Sequence, residues 1–140
     1  MNGLVTLQSA HSVATTLARL TAALAAKSIT IFAIVDHADG ALQAGLDLRA
    51  TTLVVFGNPA AGTPLMQEVQ TAGIDLPLKV LIWEAANSVV HLTYNDPVWI
   101  AERHGLGKLQ AVAAMSAALK ALAEHAVAPG RSREPPLTSP

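Results

Sequence analysis

The chain has no cysteine among its 140 residues. That excludes disulfides, thiolate nucleophiles and cysteine-ligated metals. Charge is scarce as well. Asp, Glu, Lys and Arg make up 14 % of the residues, against about 25 % in an ordinary soluble domain. The formal net charge is −1 and basic residues nowhere gather into a cluster. A protein that grips phosphate backbones needs such clusters, so no nucleic-acid partner is expected. The apolar runs fall far short of the ~20 residues that a spanning helix requires, and no membrane partner is expected either. No basic segment followed by a long apolar run opens the chain, so no signal peptide is expected. With no cysteine to protect, a cytoplasmic location fits.

Hydrophobic residues, many of them alanine, account for 51 % of the sequence. A chain of this length suits one domain with a core of its own. The expected division is a domain over residues 1–127 and a disordered tail over 128–140, where Pro, Ser and Arg offer little apolar surface to bury. A surface poor in charge leaves room for an apolar patch, and such patches usually meet a partner. Self-association is therefore expected.

Patterning sets out the elements. Leu4 to Ser9 alternates as a strand. Ser12 is placed to cap a helix whose stripe is Val13, Leu17, Leu20 and Leu24, with Lys27 near its C-terminal end. Ile29 to His37 is rich in β-branched residues and apolar on both faces, as a central strand would be. Odd positions from Ile29 to Val35 should share one face, and Phe32 and Ile34 the other. A short helix or turn follows. Leu53 to Gly57 is a third strand, and Leu78 to Ala85 and Val89 to Tyr94 form a hairpin around Asn87-Ser88. Val90, Leu92 and Tyr94 share a face of its second strand. A helix from about Lys108 to Ala126 carries Leu109, Val112, Ser116, Leu119 and Ala123 as its stripe.

Two strand-to-helix switches, Leu53 to Gln67 and Val89 to Gly105, hold most of the polar residues suited to chemistry. In the first, Asn58-Pro59 turns the chain, and Thr63 and Pro64 have the chemistry of a cap and a first helical residue. In the second, Asp96 and Pro97 fill the same roles. The order of elements predicts an α+β fold: two layers, with a mainly antiparallel sheet covered on one face by two long helices.

The runs IVDHA, LVVFGNPAAGTPLMQ, IDLPLKVLIWE and LTYNDPVWIAERHG together resemble the domain of unknown function DUF302, over about Val13 to Leu106. The resemblance implies a β-α-β(4)-α core of the TATA-binding-protein type and a homodimer. It supplies no established catalytic activity and leaves any cofactor unknown, and a fold shared with a DNA-binding protein is no argument for DNA binding.

Asp36 and His37, at a strand end, are the candidates for general acid/base work. Local chemistry offers a plainer role, Asp36 capping the next turn and His37 serving the backbone. Asn58, Thr63, Tyr94 and Asn95 are the candidate ligand-binding residues, and turn and cap chemistry explains much of them too. The glycines near Asn58 allow a close backbone approach, but the loop lacks the Gly-Lys-Ser/Thr ending of a phosphate-binding loop. None of the five histidines has paired ligand spacing. A metal held by Asp36, His37 and His91 would need their strands to adjoin. No Gly-x-Ser-x-Gly elbow is present. Three functions are then in view. The first is a dimeric small-molecule-binding or sensory module with a polar pocket at the strand ends. The others are an enzyme using Asp36 or His37, and an interaction protein acting through its dimer surface.

Overall fold

The computed structural model describes residues 2–107 and 109–130. Its elements in chain order are β1 (Leu4–Gln8), α1 (Val13–Ala26), β2 (Thr30–Asp36), α2 (His37–Gln43), β3 (Thr51–Gly57), α3 (Pro59–Glu68), a short 3₁₀ turn (Gln70–Ile74), β4 (Leu78–Glu84), β5 (Val90–Asn95), α4 (Pro97–Arg103) and α5 (Gln110–Val127). The strands make one sheet in the order β1-β5-β4-β3-β2, and every neighbouring pair is antiparallel. This is the α+β, two-layer architecture that the patterning predicts.

The core lies between one sheet face and the long helices. Leu20 and Leu24 of α1 and Leu119 and Leu122 of α5 meet Val54, Phe56, Val80, Ile82, Leu92 and Tyr94 of the sheet. Each such side chain removed from water contributes about 1.5–3 kcal/mol. The alternation of β5 is as expected: Val90, Leu92 and Tyr94 are buried, and the residues between them are half-buried. On the opposite sheet face the Trp83 indole Nε1–H donates to Thr93 Oγ1 at 2.9 Å, and Thr6 and Thr93 share a hydroxyl hydrogen bond.

β2 departs from expectation. It is an edge strand, not a central one, and its residues are mostly exposed. Phe32 and Ile34 stand 51 % and 49 % exposed. A bulge between Ile31 and Ala33 also breaks the alternation. Ile31 lies opposite Phe56 and Ile34 opposite Val54, so an odd and an even position share the helix-covered face. Apolar residues on both faces signal a central strand only when other chain covers both faces, and here the second neighbour is missing.

The caps are partly as expected. Ser12 accepts from Thr15 N–H to start α1, and Asp96 accepts from Val98 N–H to start α4. Behind Ser12, Thr16 is wholly buried and satisfied by Ser9 Oγ and the Ser12 carbonyl, each at 2.7 Å. The start of α3 is a correction. Asn58 is its N-cap, accepting from Ala60 N–H, and Pro59 is its first residue. Thr63 and Pro64 lie inside the helix. Pro64 is the sixth helical residue, so α3 forgoes the hydrogen bond that an N–H there would give the Ala60 carbonyl. α5 begins at Gln110 rather than Lys108, which is outside the described residues.

Of the expected tail, residues 131–140 lie outside the described residues. Its first residues are tied to the body. His11 Nε2 is 2.7 Å from the Ala128 carbonyl. Arg19, only 6 % exposed, donates to the carbonyls of His125, Ala126 and Gly130. A guanidinium there satisfies the carbonyls that end α5 and opposes the negative end of its dipole. Periodicity assigns the α1 stripe to aliphatic residues and so overlooks Thr16 and Arg19 on the same buried face.

Candidate functional site

β3 and β5 both run antiparallel to β4 between them, so the two strand-to-helix switches emerge at the same end of the sheet. β2 runs the other way. Its last residue, Asp36, pairs with Thr52 near the start of β3. Asp36 and His37 therefore sit at the opposite end of the sheet from Asn58. Asp36 Oδ1 accepts from Asp39 N–H at 2.9 Å, capping α2. His37 is the exposed first residue of that helix. Neither residue lines the large cavity described below.

Tyr94 and Asn95 point to opposite sheet faces. Tyr94 is in the main core. Burial pushes its phenol pKa up, and the carboxylates of Asp96 and Glu124 add to the shift. Asn95 lies opposite Leu4 on the edge strand β1. Asp96 also accepts from Ser116 Oγ of α5 at 3.2 Å, which fastens the second switch to the long helix. The metal trio does not assemble, because β3 and β4 separate Asp36 and His37 from His91. Among the described residues no group of three or more acidic or histidine side chains is placed to hold a metal.

Asn58 and Thr63 both line a cavity of about 610 Å³, and both are exposed, as residues at its rim would be. Its sheet side is Phe56, Gly57 and Leu78, with Ile29 and the bulged Phe32 at the edge. One wall is α5, through Ala111, Ala114, Met115 and Ala118, closed below by Leu119 and Leu122. The other is Pro59, Ala61, Gly62 and Met66 of α3, with Leu76 and Pro77 from the loop before β4. Among the described residues, Asn58 and Thr63 are the only polar side chains in this lining. The expected polar pocket at the strand ends is thus an apolar cavity with a polar rim. The volume lies within the range of small-molecule sites, roughly 300–1,000 Å³.

A polar cluster that spacing does not reveal braces this cavity. Asp75 Oδ2 is 2.6 Å from His104 Nε2, and both Asp75 oxygens are 3.0 Å from Arg103 Nη1. The other ring nitrogen of His104 meets Thr71 Oγ1 at 3.2 Å. Lys79 Nζ donates to the Pro77 carbonyl at 2.9 Å. Burial pushes the Lys79 pKa down, and the Asp75 charge opposes that shift. These contacts hold residues 75–77, two of which line the cavity, against α4. Asp75 and His104 are 29 residues apart, so no local motif joins them. The small residues at 111, 114 and 118 are the one sequence trace of the cavity, and they read equally as close helix packing.

The model of the family "Domain of unknown function DUF302" matches residues 5–124, and the chain belongs to that family. The crystal structure of an uncharacterized conserved DUF302 protein from Bacillus stearothermophilus has the same fold. Its TM-score is 0.81 at 16 % identity, over 90 % of this chain and 99 % of that one. The chain is also 50 % identical over 106 residues to proteins named fluoride-specific ion channel FluC 1 from Brucella suis and Brucella abortus. The match takes in 76 % of this chain but 42 % and 39 % of those proteins, so the chain spans less than half of their length. Among the described residues no helix is long and apolar enough to cross a membrane.

Proposed function

We propose that this DUF302 chain is a dimeric module that binds a small molecule in the cavity between α3, α5 and the sheet. The observation that carries the reading is the cavity itself. About 610 Å³ of apolar space opens at a rim bearing Asn58 and Thr63. The space is open to solvent at its rim, so its alkyl lining meets water unless an apolar group covers it, and burying such surface is favourable.

The dimer rests on β2. Its outer edge is unpaired, and Phe32, Ile34 and Val35 are exposed along it. Leu42, Leu46 and Leu48 extend the apolar surface along the chain that follows. β2 carries one charge, Asp36, and no lysine to discourage edge pairing. A second copy pairing through β2 would continue the sheet and cover this surface. Phe32 belongs both to the cavity and to the edge, so dimer and ligand site would share a side chain. That supports a sensory role, in which occupancy biases pairing or pairing shapes the site. A module of this kind carried alongside a channel, as the names of the Brucella relatives suggest, would report its ligand to a transport protein.

Acid/base catalysis by Asp36 and His37 finds no support in this geometry, because both residues are exposed and away from the cavity. The test is a thermal-shift screen of small molecules on the full chain beside Ala118→Trp, which fills the cavity from α5. Stabilising hits that the variant loses are expected. A screen in which every hit survives Ala118→Trp would contradict the proposal.

A further inference from the structure

The geometry points to the class of ligand: we infer that the cavity takes a neutral, single-chain lipid-like molecule whose uncharged oxygen headgroup meets Asn58 and Thr63 at the rim. This assignment rests on the cavity being a ligand site, as proposed above, and adds the chemistry of what fills it.

Charge is the first ground. Among the described residues no Lys, Arg, His, Asp or Glu lines the cavity. An ionised group drawn in among the apolar walls would lose water and gain no counter-charge, which is costly. The body of the ligand therefore carries no carboxylate, phosphate or amine, and among the described lining residues no side-chain charge stands at the rim to pair with one there. The second ground is the rim. Asn58 Oδ1 already accepts one hydrogen bond, from Ala60 N–H at 3.0 Å. Its amide N–H groups can donate, and the oxygen keeps a second lone pair. The Thr63 hydroxyl both donates and accepts. Together they suit an alcohol, ester or amide head, which accepts one bond and in the alcohol returns another. The third ground is the walls. The side facing α3 has Met66 and the α5 side has Met115. Two unbranched, adaptable thioethers across an alanine-faced wall conform to an alkyl chain. The exposed edge residue Phe32 leaves the cavity open on the β2 side, so the chain length is not fixed by a closed end.

The test uses three probes with one alkyl chain and different heads, dodecanol, dodecanoate and dodecylammonium, titrated below their aggregation thresholds onto the full chain by calorimetry at neutral pH. Dodecanol is expected to bind about tenfold more tightly than either ion. Ala118→Trp should abolish that binding, and Ala114→Phe, from another turn of α5, should do the same if the tryptophan variant does not fold. Thr63→Val should weaken dodecanol roughly threefold to tenfold through the lost hydrogen bond. Asn58→Asp, which keeps the capping oxygen and removes the amide donor, should weaken it by a similar factor without lowering the melting temperature. Dodecanoate binding as tightly as dodecanol, and lost in Ala118→Trp, would overturn the headgroup assignment while leaving the cavity a ligand site. Binding of none of the three, with cavity-dependent hits still found in the broader screen, would overturn the lipid class alone.

Discussion

Asn58 does two things with one side chain. Its carbonyl oxygen caps α3, and the residue also lines the cavity. Cap chemistry is legible in the sequence, because Asn before Pro is a common helix start. Thr63-Pro64 carries the same signature five residues later, and the structure uses the earlier of the two. Nothing local decides between them. Tyr94 shows the opposite case. Its place in an alternating strand makes its burial readable, and burial is the main cause of its raised pKa, but the added effect of the Asp96 and Glu124 carboxylates comes from outside β5. Its folded pKa is raised above the ordinary tyrosine value of 10.0. Below that value both folded and unfolded states hold the phenol proton. As pH rises past it the unfolded state ionises first, so the stability from the neutral buried phenol is lost as pH climbs toward the folded pKa. Lys79, whose folded pKa is lowered, works in the other direction: losing its proton on the way up relieves a cost of burial. Tyr94→Phe should therefore flatten the alkaline fall in stability, read from urea melts that run from neutral pH to above the ordinary tyrosine value. An unchanged slope would show that Tyr94 is not the group responsible.

At the scale of elements, α5 and β2 carry the two open questions. The C-terminal turn of α5 is held by Arg19 from α1, a contact across 106 and 107 residues. Arg19→Met removes the charge and leaves three carbonyls to find other partners. A loss of about 2–3 kcal/mol is expected, measured by equilibrium urea unfolding, and a loss below half of that would mean water replaces the guanidinium. β2 tests the dimer. Ile34→Lys places a charge on its exposed apolar edge. The parent chain should sediment as a dimer at micromolar concentration and the variant as a monomer. A monomeric parent would remove β2 as an interface. The composition of β2 was legible in the sequence and its place in the sheet was not. β-branched residues without strong alternation mark any strand covered on both faces, whether the cover is the chain's own or a partner's. The bulge at Ile31 has no glycine to announce it, and it is what turns Phe32 toward the cavity.

For the whole molecule, five strands, two long helices and their order follow from periodicity, and the family match and the Bacillus neighbour agree with that architecture. The site followed less well. Of the six residues singled out, only Asn58 and Thr63 meet, because β2 runs opposite to β3 and β5 and carries Asp36 and His37 to the far end of the sheet. Strand direction is a property of the assembled sheet and is written in no single segment. The cavity is equally non-local: its walls come from β2, β3, α3, the loop before β4 and α5. The central claim is that this space is occupied by a ligand in solution. The most direct measurement is a titration of the full chain, labelled at the methionine methyl groups, with dodecanol followed by NMR. The account predicts saturable shifts at both Met66 and Met115, absent in Ala118→Trp. Saturation without movement of either methyl, or shifts that persist in Ala118→Trp, would contradict it.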